Sequence, residues 1–407
     1  MNDLRRTIET IAAAGLAALL TMIYIILVGR ILGPADYADF SAALSLIYFC
    51  AVALTPITPT LARIVAALTA RGSLPAIVGL RNEVMLRMVA FCAGTAVVAL
   101  AVSPLLARWL RFRSALTPSL ALSAALVFAL LSVDRGVLQG LMQFRRYNAS
   151  ILVESSVRCL GAVLLLDLAY RSAELALVSY VVAVAVAELI IAHTFSREWR
   201  TSSRQPADWN QIRRLAVPMF GLMLSLAVFQ NVDMFVVKRW FDPTQTGVYG
   251  AATALARSFG ILFVPLYVLA GPTLTRLHES GQRLWPAALR LSAWYLALSA
   301  APMFIFATWP EKIVGLLYGP AFIAAASLIV PLGGVAIITY CALMLAQVLI
   351  TIHDFRFLRV YAVMAVAQIA GLAMFHGSFG EVLTVLYVCQ SAVLVALTSM
   401  LLIRRSI

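Results

Sequence analysis

An all-α membrane protein of about twelve transmembrane helices, six in each of two related halves, is predicted by three observations together. The 407 residues are 62% hydrophobic and only 12% charged, against roughly half apolar and a quarter charged in soluble globular chains. The apolar residues fall into stretches close to the roughly 20 that carry a helix across a bilayer core. Finally, VGRILGPADYADFSAA, from Val28 to Ala43, recurs weakly as VKRWFDPTQTGVYGAA, from Val237 to Ala252.

The repeat rests on its rare residues, because an Ala- and Leu-rich chain produces identities by chance. It pairs Arg30 with Arg239, Pro34 with Pro243, Phe40 with Tyr249 and, at the same offset, Pro56 with Pro265. After a short slip, Pro59, Thr60, Leu61 and Arg63 meet Pro272, Thr273, Leu274 and Arg276. A second echo joins Phe144-Arg145 to Phe355-Arg356. Repeats of this kind in transporters put the substrate site at the interface of the halves.

The elements follow in order. The first span, 8–30, begins after Arg5 and Arg6 and ends on Arg30; the second, 38–62, follows Pro34 and runs to Arg63. Spans over 85–108, 116–141, 147–170 and 173–195 complete the first half, and 212–238, 245–271, 287–309, 322–352, 357–377 and 380–403 the second. Pro56, Pro59, Pro265 and Pro272 predict bends at related places in the second and eighth spans, since proline removes a helical N–H. The longest hydrophilic connection follows the sixth span, which divides the chain into lobes 1–198 and 212–407 joined by a cytoplasmic linker, 199–211. Every other loop is too short for a folded extramembrane catalytic domain of about 50 residues.

The net charge of +13 is a statement about orientation. With both termini cytoplasmic, most of the 31 lysines and arginines lie on the cytoplasmic side, as the positive-inside rule requires. Nucleic acid is therefore not an expected partner, whereas anionic membrane lipids are. The first span is of membrane-crossing length and lacks a small-residue cleavage site, so it reads as a helix and not a signal peptide. Cys50, Cys92, Cys159, Cys341 and Cys389 sit singly in apolar spans without metal-site or disulfide spacing.

The run RILGPADYADF, ending at Phe40, resembles the opening signature of oligosaccharide flippases in the polysaccharide-transport branch of the multidrug/oligosaccharidyl-lipid/polysaccharide (MOP) superfamily. Gln230, Asn231 and Asp233, followed by Lys238, Arg239 and Thr246 to Tyr249, look like that family's passage from seventh to eighth helix. GVLQGLMQFRRY, from Gly136 to Tyr147, is similar to its fourth-helix exit. Ala38 and Asp242 depart from the pattern, the latter standing where the first half has Gly33. The resemblance implies two six-helix lobes around a V-shaped central cavity. It implies alternating-access transfer of a polyprenyl-diphosphate-linked oligosaccharide, an O-antigen or exopolysaccharide precursor, from the cytoplasmic to the outer leaflet of a bacterial inner membrane. It also implies a monomer that works beside polysaccharide polymerase or export proteins.

An Arg or Asp at the centre of a spanning helix costs about 2.5–3.5 kcal/mol on insertion scales, so each needs a partner or a watery cavity. Arg257 stands where the repeat has Tyr48; it reads as a diphosphate anchor, matching phosphate oxygens with a planar fork, or as the partner of an acidic neighbour. Arg158 and Glu154 share a helical face and can neutralise each other; alternatively Glu154 exchanges Arg158 for a proton or ion and frees it for substrate. Asp134 and Arg135 are adjacent and point apart, and Arg135 either snorkels to the interface or meets the diphosphate. Arg63, at the inner end of the second span, reads as a phosphate contact or as positive-inside placement. Asp233 is either an ion-coupling group or a fixed partner of Arg257. The candidate substrate-binding set is thus Arg257, Arg158, Arg135 and Arg63, and the candidate ion-coupling set Asp233, Glu154 and Asp134. Glu188 and His193 read as solvated end residues or as a proton-accessible pair. Tyr24, Tyr48, Tyr249 and Tyr267 read as packing or as sugar platforms.

The sequence has no GxxxxGK[ST] cradle, no HExxH and no GxSxG. No cofactor is expected, and the protein is not expected to be an enzyme. The competing readings are a cation-coupled multidrug exporter of the same superfamily and a membrane-embedded glycosyl-transfer or polymerising enzyme.

Overall fold

The computed structural model describes residues 2–168, 170–198 and 209–403, all of whose regular structure is helical. The helices are α1 (Asn2–Leu54), α2 (Ile57–Ala70), α3 (Leu74–Trp109), α4 (Leu116–Gly140), α5 (Phe144–Leu168), α6 (Ala173–Glu198) and α7 (Trp209–Trp240). The second series is α8 (Pro243–Arg257), α9 (Phe259–Glu279), α10 (Trp285–Thr308), α11 (Pro310–Leu317), α12 (Ala326–Thr351), α13 (Phe357–Met374) and α14 (Phe379–Ile403). Among the described residues, 11 runs are long and apolar enough to cross a membrane. The first, Ala12–Ala70, has 59 residues, about 90 Å of helix against a core of about 30 Å. It is broken at Gly33, whose φ of 73° and ψ of 169° are open essentially to glycine. That run supplies two crossings, which makes the expected twelve.

The repeat is written into the backbone. The break at Gly33 is followed by Pro34, and the break after α7 by Pro243 at the start of α8, where proline's missing N–H costs nothing. In place of glycine, Asp242 caps α8, its carboxylate accepting from the N–H groups of Thr244 and Gln245. Left-handed residues close α2 at Gly72 and α9 at Gly281, α4 at Met142 and α12 at His353. Each is followed by the same reverse bond: Ser73 N–H to Leu68 O, Gln282 N–H to Leu277 O, Gln143 N–H to Leu138 O and Asp354 N–H to Leu349 O.

The prolines are less regular than expected. The first half does break at Thr55-Pro56, between α1 and α2, but the second breaks at Ser258, and Pro265 and Pro272 lie inside α9. At Ser258 the ladder tightens: Ser258 N–H donates to Leu255 O, Ile261 N–H donates to Ser258 O, and the Ser258 hydroxyl also donates to Leu255 O. That local bonding, next to Arg257, sets the bend where the proline pattern did not.

Two compact units emerge: Met1–Leu32 with Asp39–Ala227, and Gly33–Ala38 with Val228–Ile407. The seam falls within α7; of the expected linker 199–211, residues 199–208 lie outside the described residues. In the first unit α4 is the hub, packed on α2, α3, α5 and α6; in the second α12 is, packed on α8, α9, α10, α11 and α14. These are the two helices that the Phe144/Phe355 echo pairs. From Leu131 to Leu138, α4 is buried on every side. Gly136 and Gly140 permit this approach, since a Cβ on Gly136 would lie 2.8 Å from Thr58 O and one on Gly140 2.6 Å from Val65 Cβ. Small residues four apart let backbones close in where lipid offers no hydrophobic drive. Gly247 serves likewise in the second unit, its α-carbon facing the Pro34 carbonyl.

Gly140→Ala is expected to cost about 1–3 kcal/mol by overpacking, seen as a lower unfolding midpoint in detergent and lower membrane abundance. An unchanged midpoint for this variant would contradict the close packing of α2 on α4.

Candidate functional site

Burial of α4 dictates what its charges must do. Asp134 is fully buried, and Arg81 from α3 grips it with two hydrogen bonds, Nε to Oδ1 at 2.8 Å and Nη2 to Oδ2 at 2.7 Å. Its neighbour Arg135 turns to α5, where Nη2 meets Glu154 Oε2 at 2.8 Å and Nε meets Ser150 Oγ at 3.1 Å. It does not snorkel. The other oxygen of Glu154 takes Arg158 one turn along α5. Arg135, Glu154 and Arg158 are each less than a tenth exposed, so two guanidiniums share one carboxylate in a low-dielectric interior.

The surroundings of Arg158 are aromatic. Its guanidinium lies 4.3 Å from the Tyr180 ring centroid and 5.9 Å from that of Tyr24, contacts that stabilise a buried cation. Tyr48 is within electrostatic reach. The position occupied by Arg257 in the second half is therefore held in the first by a phenol beside a cation supplied from α5. Tyr24 donates to Ala176 O at 2.8 Å and is wholly buried, which makes it packing. The Nε of Arg158 is buried with no hydrogen-bond partner among the described residues. Such a donor invites an acceptor.

The second unit has its own cleft, about 50 Å³, lined by Gln230, Asp233, Thr253, Arg257, Thr339, Tyr340 and Gln390 among others. Arg257 reaches back from the end of α8 to α7, its Nη2 donating to Gln230 O at 2.9 Å and Asn231 Oδ1 at 3.0 Å. Asp233 Oδ2 accepts from the Tyr249 hydroxyl at 2.6 Å. Asp233 Oδ1 and Thr253 Oγ1 are buried without partners among the described residues. The space suits a few waters or a bare ion, each water needing about 10–15 Å³ measured this way.

Arg63 is exposed on α2. Glu188 is not a solvated end residue: it is 9% exposed, within reach of Asp134, Arg81 and Arg135, and its Oε2 has no partner among the described residues. His193, a turn further on, is exposed. The sequence alone did not single out Arg81. It also missed the buried amides: Gln368 donates to the Val228 and Phe229 carbonyls of α7, and Gln390 contacts Thr339 and donates to Phe229 O. A glutamine in an apolar span was the available signal, because an amide in lipid needs partners as a charge does.

This arrangement is that of a multi-pass membrane protein whose buried charges are paired between helices. The sequence profile of a family described as polysaccharide biosynthesis protein matches residues 4–278, and the chain belongs to that family. No curated protein sequence matches it. Among solved structures, an inward-facing multidrug resistance MATE family transporter of the MOP superfamily aligns over 98% of both chains, with a TM-score of 0.80 and 15% identity. A MATE in the straight conformation gives 0.68 at 13% identity, covering 99% of this chain and 95% of that one. A MOP superfamily transporter from Pyrococcus furiosus gives 0.63 at 14%, covering 98% and 95%. At these identities the likeness shows the fold.

Removing one member of the triad leaves an uncompensated buried charge, a loss of about 3–5 kcal/mol, whereas replacing a whole ionic group by apolar residues is often neutral. Glu154→Ala is accordingly expected to unfold at a much lower temperature. The triple variant Arg135→Met, Glu154→Met, Arg158→Met is expected to keep a midpoint near that of the wild type. Thermal unfolding in detergent checks both; a Glu154→Ala midpoint equal to wild type would remove the triad as a structural unit.

Proposed function

We propose that the protein flips a polyprenyl-diphosphate-linked oligosaccharide from the cytoplasmic to the outer leaflet of the inner membrane, by alternating access, for cell-surface polysaccharide synthesis. The observation that carries this reading is the Arg135–Glu154–Arg158 triad: two cations on one carboxylate, with Arg158 Nε unfilled. A diphosphate supplies the missing negative charge and the acceptor, and bonds from a guanidinium to phosphate oxygens are of the strong, charge-assisted kind. Arg257 in the second unit and exposed Arg63, midway along α2, are further candidate cations. Membership of the polysaccharide biosynthesis family supports the glycan as cargo. Glu154 is the switch, since protonating it releases both arginines. Asp233, with one oxygen unfilled, is the candidate for return of the empty carrier on a proton or sodium gradient, while Asp134 is held by Arg81.

The multidrug transporters that share the fold support a second reading, a cation-coupled exporter of amphipathic drugs. The Pyrococcus furiosus transporter is described as having a binding pocket of reversed polarity that suggests a different function, and polarity is the deciding property here. A drug-cation site favours acids and aromatics, whereas the free valence in this protein's first half is cationic.

In proteoliposomes, the stable triple methionine variant is expected to lose translocation of labelled lipid-linked oligosaccharide by at least about tenfold, the smaller end of what losing hydrogen bonds to charged groups costs. Full translocation by that variant would sink the triad as the diphosphate site. If Arg257→Ala and Arg257→Glu both keep the wild-type rate, Arg257 has no part in it. Collapsing the proton and sodium gradients is expected to slow turnover, and an unchanged rate removes coupling through Asp233 and Glu154.

A further inference from the structure

A second cleft lies within the second unit, where the end of α7 and the start of α8 meet the connection from α13 to α14. In the orientation favoured by the basic residues, this is the outer side. The cleft measures about 530 Å³ and is lined by Trp240, Phe241, Asp242, Gln245, His376 and Phe379, among others. Its size is within the range of roughly 300–1,000 Å³ that takes small ligands.

The walls are aromatic and the fittings polar. Phe241 and Phe379 stack in parallel, centroids 4.6 Å apart and 7° from coplanar. Trp240 is 42% exposed and carries the His376 ring against it at 4.2 Å. The Nδ1 of His376 is buried and has no hydrogen-bond partner among the described residues. Asp242 spends Oδ1 on capping α8, which leaves Oδ2 to accept. Gln245 is exposed beside it and brings an amide that both donates and accepts.

A flat apolar face ringed by a carboxylate, an amide and an imidazole matches one ligand chemistry. Pyranose rings present apolar C–H faces to aromatic rings and a girdle of hydroxyls that donate and accept. An organic cation also suits aromatic walls, but Arg239 already lies over the Trp240 ring at 5.8 Å, so a further cation would meet repulsion. A membrane-interface tryptophan needs no Asp, Gln and unfilled imidazole around it.

We propose that this cleft is a saccharide-binding subsite that holds one or two neutral sugar residues of the cargo's glycan on the outer side of the second unit. The assignment to cargo rests on the flippase reading; sugar binding itself does not. Bound sugar stacks on Trp240 and hydrogen-bonds Asp242, Gln245 and His376.

The test is saturation-transfer NMR on the full chain in lipid nanodiscs, with methyl glucoside, methyl galactoside and N-acetylglucosamine as probes and tetraethylammonium as the cationic comparison. At least one sugar is expected to bind, and Trp240→Ala to weaken it about tenfold or more, the equivalent of 1.4 kcal/mol. Asp242→Asn, which keeps a capping side chain, and exposed Gln245→Ala give the same direction without threatening the fold. Trp294→Phe, at an exposed position on α10, leaves binding unchanged. The proposal is overturned if none of the three sugars binds, if all three cleft variants bind as the wild type does, or if only tetraethylammonium binds. A wild-type protein that binds sugar yet moves no lipid-linked oligosaccharide ends the flippase reading and leaves the subsite. Full translocation without sugar binding ends the subsite alone.

Discussion

Asp134 and Arg135, consecutive and opposite in charge, sit on a stretch of α4 that is enclosed on all sides. Successive residues on a helix point about 100° apart, so the two cannot satisfy each other and must find separate partners. Arg81 answers from α3, Glu154 from α5, and Glu154 recruits Arg158. The hub of the first unit is thus tied to two neighbours by bonds that are worthless unless complete, because a half-paired charge in this medium costs more than the pair returns. Register between α3, α4 and α5 follows from that requirement, as does the shape of the space beside Arg158.

The second unit meets the same constraint with different chemistry. Its hub, α12, carries Thr339 and contacts Gln390 of α14, and the α7 carbonyls near Phe229 receive two buried amides. Charge is moved to the flank, where Arg257 folds back on Asn231 and Asp233 lies under Tyr249. One ring connects this region to the aromatic cleft: Phe379 stacks on Phe241 and on Tyr249, the latter at 5.5 Å. The ring that lines the cleft, Phe379, thus packs against the ring that donates to Asp233, Tyr249.

Much of this was legible in the sequence, and the parts that were not share a cause. Composition and span length alone suffice for helix number and class, since lipid leaves a chain little choice but to satisfy its backbone within helices. Arg158 and Glu154 were readable as a pair because helical spacing is a one-dimensional fact. Arg81 with Asp134, and Arg135 with Glu154, join different helices, and nothing local encodes which helices are neighbours. The helix break at Ser258 was not readable for a related reason: Pro265 and Pro272 announce a missing N–H, but the tightened turn is set by bonding around Leu255 and Ser258.

Gly33 and Asp242 occupy matching places and produce matching bends, one by backbone freedom and the other by a carboxylate seated on two amides. The bend is therefore degenerate with respect to the residue that makes it. A chain built from such interchangeable parts drifts in spelling while its geometry stands still, which is how 15% identity coexists with a TM-score of 0.80. Likeness in folds of this kind is carried by the positions where the backbone must turn, more than by the letters found there.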